Sequence, residues 1–320
     1  MKTLKIIVLT LLTIVFIVYG MGFMMYSGLN KTLLDQQYYR TVVGDYKISA
    51  MVHEQLGDMI PPIVRDGLTG GSAVTDEMQK AAVEKQVALI STAITDALDE
   101  SWIEKQAVMV TDDVVDLLNG EKGSLSAVIE LKGKLSEIEI NIAKGLEKLS
   151  DAELIGMFGA PRAYIPMVAE QIVSKLGLPE SLVIADLVDE MVPGTLKMVT
   201  GYLEIMNSVF GIVAWIVIIV FFLLCLLFWK VGKGLLWFGL SSVLTGGLFL
   251  GLISYVSNFS TIERLTGADL GSLPLDSSTV QGIIAFTFSE MKLMPILFLV
   301  GGFVLFLLGL VVNKAFHKAA

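Results

Sequence analysis

The fold is decided by residues 208–256: Ser208, then VFGIVAWIVIIVFFLLCLLFW (209–229), then Lys230-Val231-Gly232-Lys233-Gly234, then LLWFGLSSVLTGGLFLGLISYV (235–256). A bilayer core of about 30 Å takes roughly 20 apolar residues at the helical rise, and each run meets that length. Neither run holds a charge, and the joint between them carries two lysines. The pattern reads as a transmembrane hairpin.

The rest of the chain follows from this hairpin. The 320 residues are 54% apolar, with a mean hydropathy of +0.72, more than a soluble domain of this length carries. Four long uncharged runs account for the excess: Ile6–Leu29, Val209–Trp229, Leu235–Val256 and Leu293–Val312. Lys2 and Lys5 precede the first run as in an export signal. That run is too long, however, and Met24-Met25-Tyr26-Ser27-Gly28 is a poor cleavage site, so an uncleaved signal anchor is expected. The expected fold class is an all-α membrane protein, with four transmembrane helices plus one mainly helical extracytoplasmic domain holding at most a small strand element. Its segments are 1–30 (helix 1), 31–207 (the domain), 208–257 (the hairpin), 258–292 (a second outside loop) and 293–320 (helix 4 and a short tail).

Basic residues fix the orientation. Lys2 and Lys5, Lys230 and Lys233, and Lys314, His317 and Lys318 flank the spans on the same side. Both termini are therefore expected in the cytoplasm of a plasma-membrane, multi-pass protein, with 31–207 outside. That outside stretch holds 28 Asp plus Glu against 15 Lys plus Arg, a net of −13, although the whole chain carries only −9. Such a surface disfavours nucleic acid and anionic lipid headgroups as partners. Cys225 is the single cysteine, so no disulfide forms within the chain; it is expected to face lipid or to fill a packing gap.

Helical spacing marks Leu33, Leu34, Tyr38 and Val42, then stops at Pro61-Pro62 and the Gly67–Ser72 loop. Thr75-Asp76-Glu77 is expected to start a helix with Val83, Val87, Ile90, Ile94 and Leu98 on its buried face. Ser101-Trp-Ile-Glu104 reads as a capping box opening a helix that ends at Asn119-Gly120. Residues 124–131 alternate with period two, as a half-buried strand does, and leave its partner open. Helical spacing resumes at Leu135, Ile138, Ile142, Leu146 and Leu149, and a second capping box stands at Ser150-Asp-Ala-Glu153. Further helices follow over Ile165–Leu176 and Val183–Met191, separated by Gly177-Leu178-Pro179 and closed by Pro193-Gly194. From Thr195 one continuous helix is expected to enter span 2. The 258–292 loop is expected to be irregular around Gly267, Gly271 and Pro274, with a short helix capped by Ser277, Ser278 or Thr279.

Chemical signatures are sparse. With only His53 and His317, no histidine set for zinc exists. Asp112, Asp113 and Asp116, and Asp186, Asp189 and Glu190, stand on single helix faces, a weak pattern for a divalent ion and a common one for a solvated surface. No phosphate loop, dinucleotide fingerprint or nucleophile elbow is present. No catalytic, cofactor-binding or metal residue is therefore assigned, no cofactor is expected, and the chain is not expected to be an enzyme. The spans hold no charge for an ion relay. Thr10, Thr13, Ser241, Ser242 and Thr245 read as helix-to-helix hydrogen-bonding groups or, less simply, as a pore lining. Gly247-x-x-x-Gly251 permits close helix approach, within one bundle or in a homo-oligomer through Gly247 and Gly251.

Two stretches resemble a known group. They are Thr32-Leu-Leu-Asp-Gln-Gln-Tyr-Tyr39, and Ser101-Trp-Ile-Glu-Lys-Gln106 followed by Leu117-Leu-Asn-Gly-Glu121, Ser124-Leu-Ser-Ala-Val-Ile-Glu-Leu131 and Lys134. Over roughly residues 30–135 the chain resembles uncharacterised prokaryotic four-helix membrane proteins with a large extracytoplasmic loop, which implies a topology and no activity. In layout it is also similar to the permeases of macrolide exporters and cell division. Those need a cytoplasmic coupling element between spans 2 and 3, for which Lys230–Gly234 is too short. The expectation is a protein whose outside domain binds a partner or ligand at the cell envelope; the alternative is an oligomeric transport or lipid-handling protein without its own ATPase.

Overall fold

A computed structural model describes residues 2–70, 77–191, 194–229, 231–266 and 276–318. The expected cap at Thr75, the stop at Pro193, the lysine at 230 and the turns at Gly267, Gly271 and Pro274 lie outside the described residues. In chain order the helices are α1 (Lys2–Asn30), α2 (Gln36–Asp45), α3 (Ile48–Thr69), α4 (Glu77–Ala97), α5 (Glu100–Leu118), α6 (Lys132–Glu147), α7 (Asp151–Phe158), α8 (Ile165–Leu176), α9 (Ile184–Met191), α10 (Thr195–Phe210), α11 (Ile212–Phe228), α12 (Val231–Val256), α13 (Phe259–Thr266), α14 (Ser277–Glu290) and α15 (Leu293–Lys318). Two strands, β1 (Val128–Glu130) and β2 (Ser181–Val183), complete the described elements with a single 3-10 turn at Arg162–Tyr164. The chain divides into two compact units. An apolar unit takes 1–39, 115–122 and 195–320, and an acidic unit takes 40–114 and 123–194.

Four stretches of the apolar unit are long and apolar enough to cross a membrane: Val8–Asn30, Met198–Phe228, Val231–Val256 and Ser277–Lys314. Each overlaps one of the four runs read from the sequence, and the second and fourth extend well beyond theirs, to Met198 and to Ser277. The tightest packing joins α12 to α15. Gly232, Gly239 and Gly246 recur every seven residues on α12, and Gly302 and Gly309 do so on α15. A Cβ on Gly239 would lie 2.5 Å from the Phe306 nitrogen, and one on Gly246 would lie 2.6 Å from the Pro295 carbonyl oxygen. Small residues at a heptad interval let the two antiparallel backbones touch, which side-chain packing alone does not allow. A second cluster packs Leu9 and Phe16 of α1 against Phe221, Cys225 and Phe238. The Phe16 and Phe221 rings stack at 4.4 Å.

Several local expectations change. Of the two expectations for Cys225, packing filler holds: it is fully buried in that cluster. The joint shrinks, because α12 begins at Val231 and takes Gly232, Lys233 and Gly234 into its first turns. Gly234 is required there: a Cβ would lie 2.7 Å from the Cys225 carbonyl oxygen. The helix entering span 2 is interrupted at Gly211, where ψ is −111°. The 258–292 stretch is mostly helical within the described residues, through α13 and α14, and Asp276 rather than Ser277 takes the N-cap position of α14. The Ser278 hydroxyl donates to the Asp276 carboxylate.

In the acidic unit, α3, α4, α6, α7 and α8 enclose one core: Ile60 and Val64, Val87, Ile90 and Ile94, Ile138, Ile142 and Leu146, with Leu154, Ile165 and Ile172. Burying such a side chain contributes roughly 1.5–3 kcal/mol. This core explains why Pro61-Pro62 does not stop α3, contrary to expectation. Leu56, Ile60, Val64 and Leu68 form one i+4 stripe that packs on both sides of the prolines. The proline nitrogens cannot donate to the carbonyls of Gly57 and Asp58, and Asp58 is exposed.

The capping box at Ser150-Asp-Ala-Glu153 forms as read, and Gly159 and Gly177 end α7 and α8 in the left-handed conformation. The box at Ser101 does not form in that way. Asp99 caps α5 instead, accepting the Trp102 N–H at 3.0 Å and the Ser101 hydroxyl at 2.7 Å. The strand finds its partner within the chain. β1 pairs antiparallel with β2 in the register Val128↔Val183, Ile129↔Leu182 and Glu130↔Ser181. Val183 is thus strand rather than the first residue of the last short helix.

Candidate functional site

Helices α4 and α6 meet along one edge of the acidic unit, and the edge opens into a cleft of about 420 Å³. Its α4 wall is Ala88, Leu89, Thr92, Ala93 and Asp96; its α6 wall is Asn141, Lys144, Gly145 and Lys148. The floor is apolar because α4 presents alanines and Leu89 where α6 presents Gly145. A Cβ at Gly145 would lie 3.1 Å from Leu89 Cγ. The rim is polar: Asn141 Nδ2 donates to the Ala93 carbonyl at 3.4 Å, and Asp96, Lys144 and Lys148 flank it.

The same face of α6 continues two turns toward its N-terminus. Lys134, Glu137, Asn141, Lys144 and Lys148 follow steps of three and four, which place them on one line. At the far end of the line Lys134 is mostly buried, 14% exposed at its side chain. Its ammonium lies 2.8 Å from Glu137 Oε2 and 3.3 Å from Asp99 Oδ2. It also sits over the Trp102 ring at 5.9 Å from the centroid. Burial pulls the Lys134 pKa down, but the hydrogen bonds and charges of Glu137 and Asp99 outweigh it, and the net shift is upward. Asp99 is held below the usual carboxylate range, first by the Ser101 hydroxyl and then by the Trp102 N–H. This end is a fixed ion cluster that stiffens the α4–α5 corner against α6. The cleft beyond it keeps its polar groups at the rim. Such an arrangement can hold an amphipathic ligand: apolar surface for its body, two ammonium groups for an anion and one carboxylate for a cation.

The acids singled out from the sequence do not converge. Asp113 is buried at 4% exposure; it accepts the Ser126 N–H at 2.6 Å, the Ser126 hydroxyl at 2.8 Å and the Ala127 N–H at 2.8 Å. It positions the chain entering β1. Asp112 pairs with Arg40 at 2.7 Å. Asp116 accepts Gln36 Nε2 at 2.8 Å and pairs with Lys122 at 2.9 Å. Asp186, Asp189 and Glu190 are exposed on α9. Among the described residues no group of three His, Cys, Asp or Glu is placed to hold a metal ion.

Of the span hydroxyls, that of Thr13 joins two helices and those of Ser241 and Thr245 bond within their own. Trp237 Nε1 donates to Thr13 Oγ1 at 2.8 Å. Ser241 and Thr245 donate back to the Trp237 and Ser241 carbonyls at 2.9 and 2.7 Å. Gly247 and Gly251 face away from the other spans, and a Cβ at either would meet nothing within 4 Å.

Sequence reading passed over Asp96, Asn141, Lys144 and Lys148. Each looks like an ordinary solvated helix residue until α4 and α6 are known to be neighbours. The one available signal was the line from Lys134 to Lys148 on α6. Comparison of the chain with protein-family models, with curated proteins and with solved structures gives no match.

Proposed function

We propose that this chain is a non-enzymatic integral membrane protein of the cell envelope, whose acidic helical unit lies outside the cytoplasm and binds a partner or ligand. The α4–α6 cleft carries the reading. It joins an apolar floor to rim charges of both signs, and Gly145 keeps it open where a larger residue would press on Leu89. The chemistry it fits is an amphipathic segment bearing an acidic group that reaches Lys144 or Lys148. The supporting context is the basic flanks of the spans, which argue for the acidic unit on the opposite side.

The test is photocrosslinking in native membranes. A photoreactive residue at Thr92, on the α4 wall, is expected to give a discrete adduct that disappears in the K144E/K148E double variant. The same probe at Ser136, on the exposed side of α6, is expected to give none. No adduct at Thr92, or an adduct indifferent to both lysines, removes the cleft as the binding site.

A further inference from the structure

Span 2 is broken within its apolar run. α10 ends at Phe210 and α11 starts at Ile212. The last bond of α10 runs from the Gly211 N–H to the Asn207 carbonyl at 2.9 Å. A continuous helix would add bonds from Ile212, Val213 and Ala214 to the carbonyls of Ser208, Val209 and Phe210. The break forgoes them, and Gly211, in the N-cap position, has no side chain to stand in. Its depth makes this matter. Phe210 lies over Gly22 of α1, within 2.6 Å of where a Cβ would stand, and Tyr26 donates to Asn207 Oδ1 at 2.6 Å. Residues 22–26 stand short of the end of α1 at Asn30 by about 6–12 Å of helix. On the membrane reading of the spans that depth is in hydrocarbon, where backbone groups without a partner are costly.

Three residues of α1 receive the broken form. The Tyr19 hydroxyl donates to the Val209 carbonyl, the acceptor that the Val213 N–H would take in a continuous helix. Gly22 leaves room for the Phe210 ring, and Tyr26 ties Asn207 beside it. Gly211 itself is required for the break, since a Cβ there would lie 2.7 Å from the Asn207 carbonyl oxygen. A permanent break is commonly enforced by proline, which cannot donate within a helix. Glycine enters a helix as well as leaving it, so residue 211 allows both forms. Each form keeps what the other gives up: the broken one has the contacts to α1, the continuous one has the backbone bonds.

We infer that Gly211 is a hinge between a broken and a continuous span 2, and that Tyr19 is its latch. The Val209 carbonyl is the shared acceptor. The Tyr19 hydroxyl holds it in the broken form, and the Val213 N–H takes it in the continuous one. Exchange of the two donors changes the direction of α10 against α11, the hinge type of conformational switch. The inference rests on the membrane reading of the spans and is independent of the cleft and its ligand.

The test measures the distance across Gly211 in the full chain in lipid discs, with paired spin labels at Y202C and I219C. Both positions are exposed, and Cys225 is buried. From 202 to 219 a continuous helix rises about 25 Å. Wild type is expected to show a main distance away from that value. Y19F is expected to raise the population at about 25 Å roughly three- to tenfold, the effect of one lost hydrogen bond. G211A, whose Cβ excludes the break, is expected at about 25 Å alone. A distribution that Y19F leaves unchanged overturns the inference, as does wild type at about 25 Å alone or G211A with the wild-type distribution. If G211A fails to fold, Y19F decides by itself, because it removes one hydroxyl and no volume from the core.

Discussion

Gly239 of α12 and Gly302 of α15 stand back to back. A Cβ on Gly239 would lie 2.6 Å from the Gly302 carbonyl oxygen, and one on Gly302 would lie 2.8 Å from the Gly239 carbonyl oxygen. Each glycine is thus the reason the other's backbone can come so near. Gly239→Leu is expected to destabilise the protein by about 1–3 kcal/mol or more, because the side chain has nowhere to go but between two backbones. Gly247→Leu, on the open side of the same helix, should fall within about 0.5 kcal/mol of wild type. Thermal midpoints of the two variants in the same detergent decide it; equal midpoints contradict the packing account.

Asp113 governs the only sheet among the described residues. Its carboxylate takes the N–H groups of Ser126 and Ala127 just before β1 begins. Asp113→Ala leaves the buried Ala127 N–H without an acceptor, at an expected loss of about 1–3 kcal/mol. Asp113→Asn retains one acceptor oxygen and should fall between. Denaturation followed by circular dichroism measures the loss, and limited proteolysis should cut first within residues 121–131 of the alanine variant. A cut pattern identical to wild type would argue that the strands pair without this support.

Acid acts on the start of α7. Glu153 is held down to about 2, first by the Ser150 N–H, then by the Ser150 hydroxyl and Lys85. A depressed carboxylate stabilises above its unfolded pKa, near 4.5, and this contribution fades as pH falls through about 2. Amide protection over residues 151–158 is therefore expected to hold from pH 7 to 5 and to weaken as pH falls from 4.5 toward 2. In Glu153→Gln that local loss should be absent, leaving a lower, flat profile.

The coarse fold was legible because a run of apolar residues long enough for a bilayer needs no tertiary information to recognise. The same holds for α6 and α8, whose buried faces follow from spacing alone. What failed was long-range or depended on neighbours. β1 is three residues long and its partner lies some fifty residues on, a pairing that alternation cannot specify. Pro61-Pro62 obeyed the local rule only as far as packing allowed, and the stripe from Leu56 to Leu68 overrode it. Asp113 was placed on the right helix, but a carboxylate in an acidic chain gives no sign that it is buried. The glycines at seven-residue intervals in α12 and α15 were readable in principle; Gly247 and Gly251 drew attention through the shorter and better-known spacing. Of the cleft only the α6 line from Lys134 to Lys148 was readable, because the cleft belongs to two helices whose adjacency is a property of the core.

The central claim, that the α4–α6 cleft is where a partner is held, is tested most directly by hydrogen exchange. The full chain is compared in native membrane vesicles and after purification into lipid discs. The account predicts slower exchange in the vesicles at 88–96 and 141–148, with α7 and α9 unchanged, and loss of that difference in the K144E/K148E variant. Identical exchange across both cleft walls in the two preparations would contradict it.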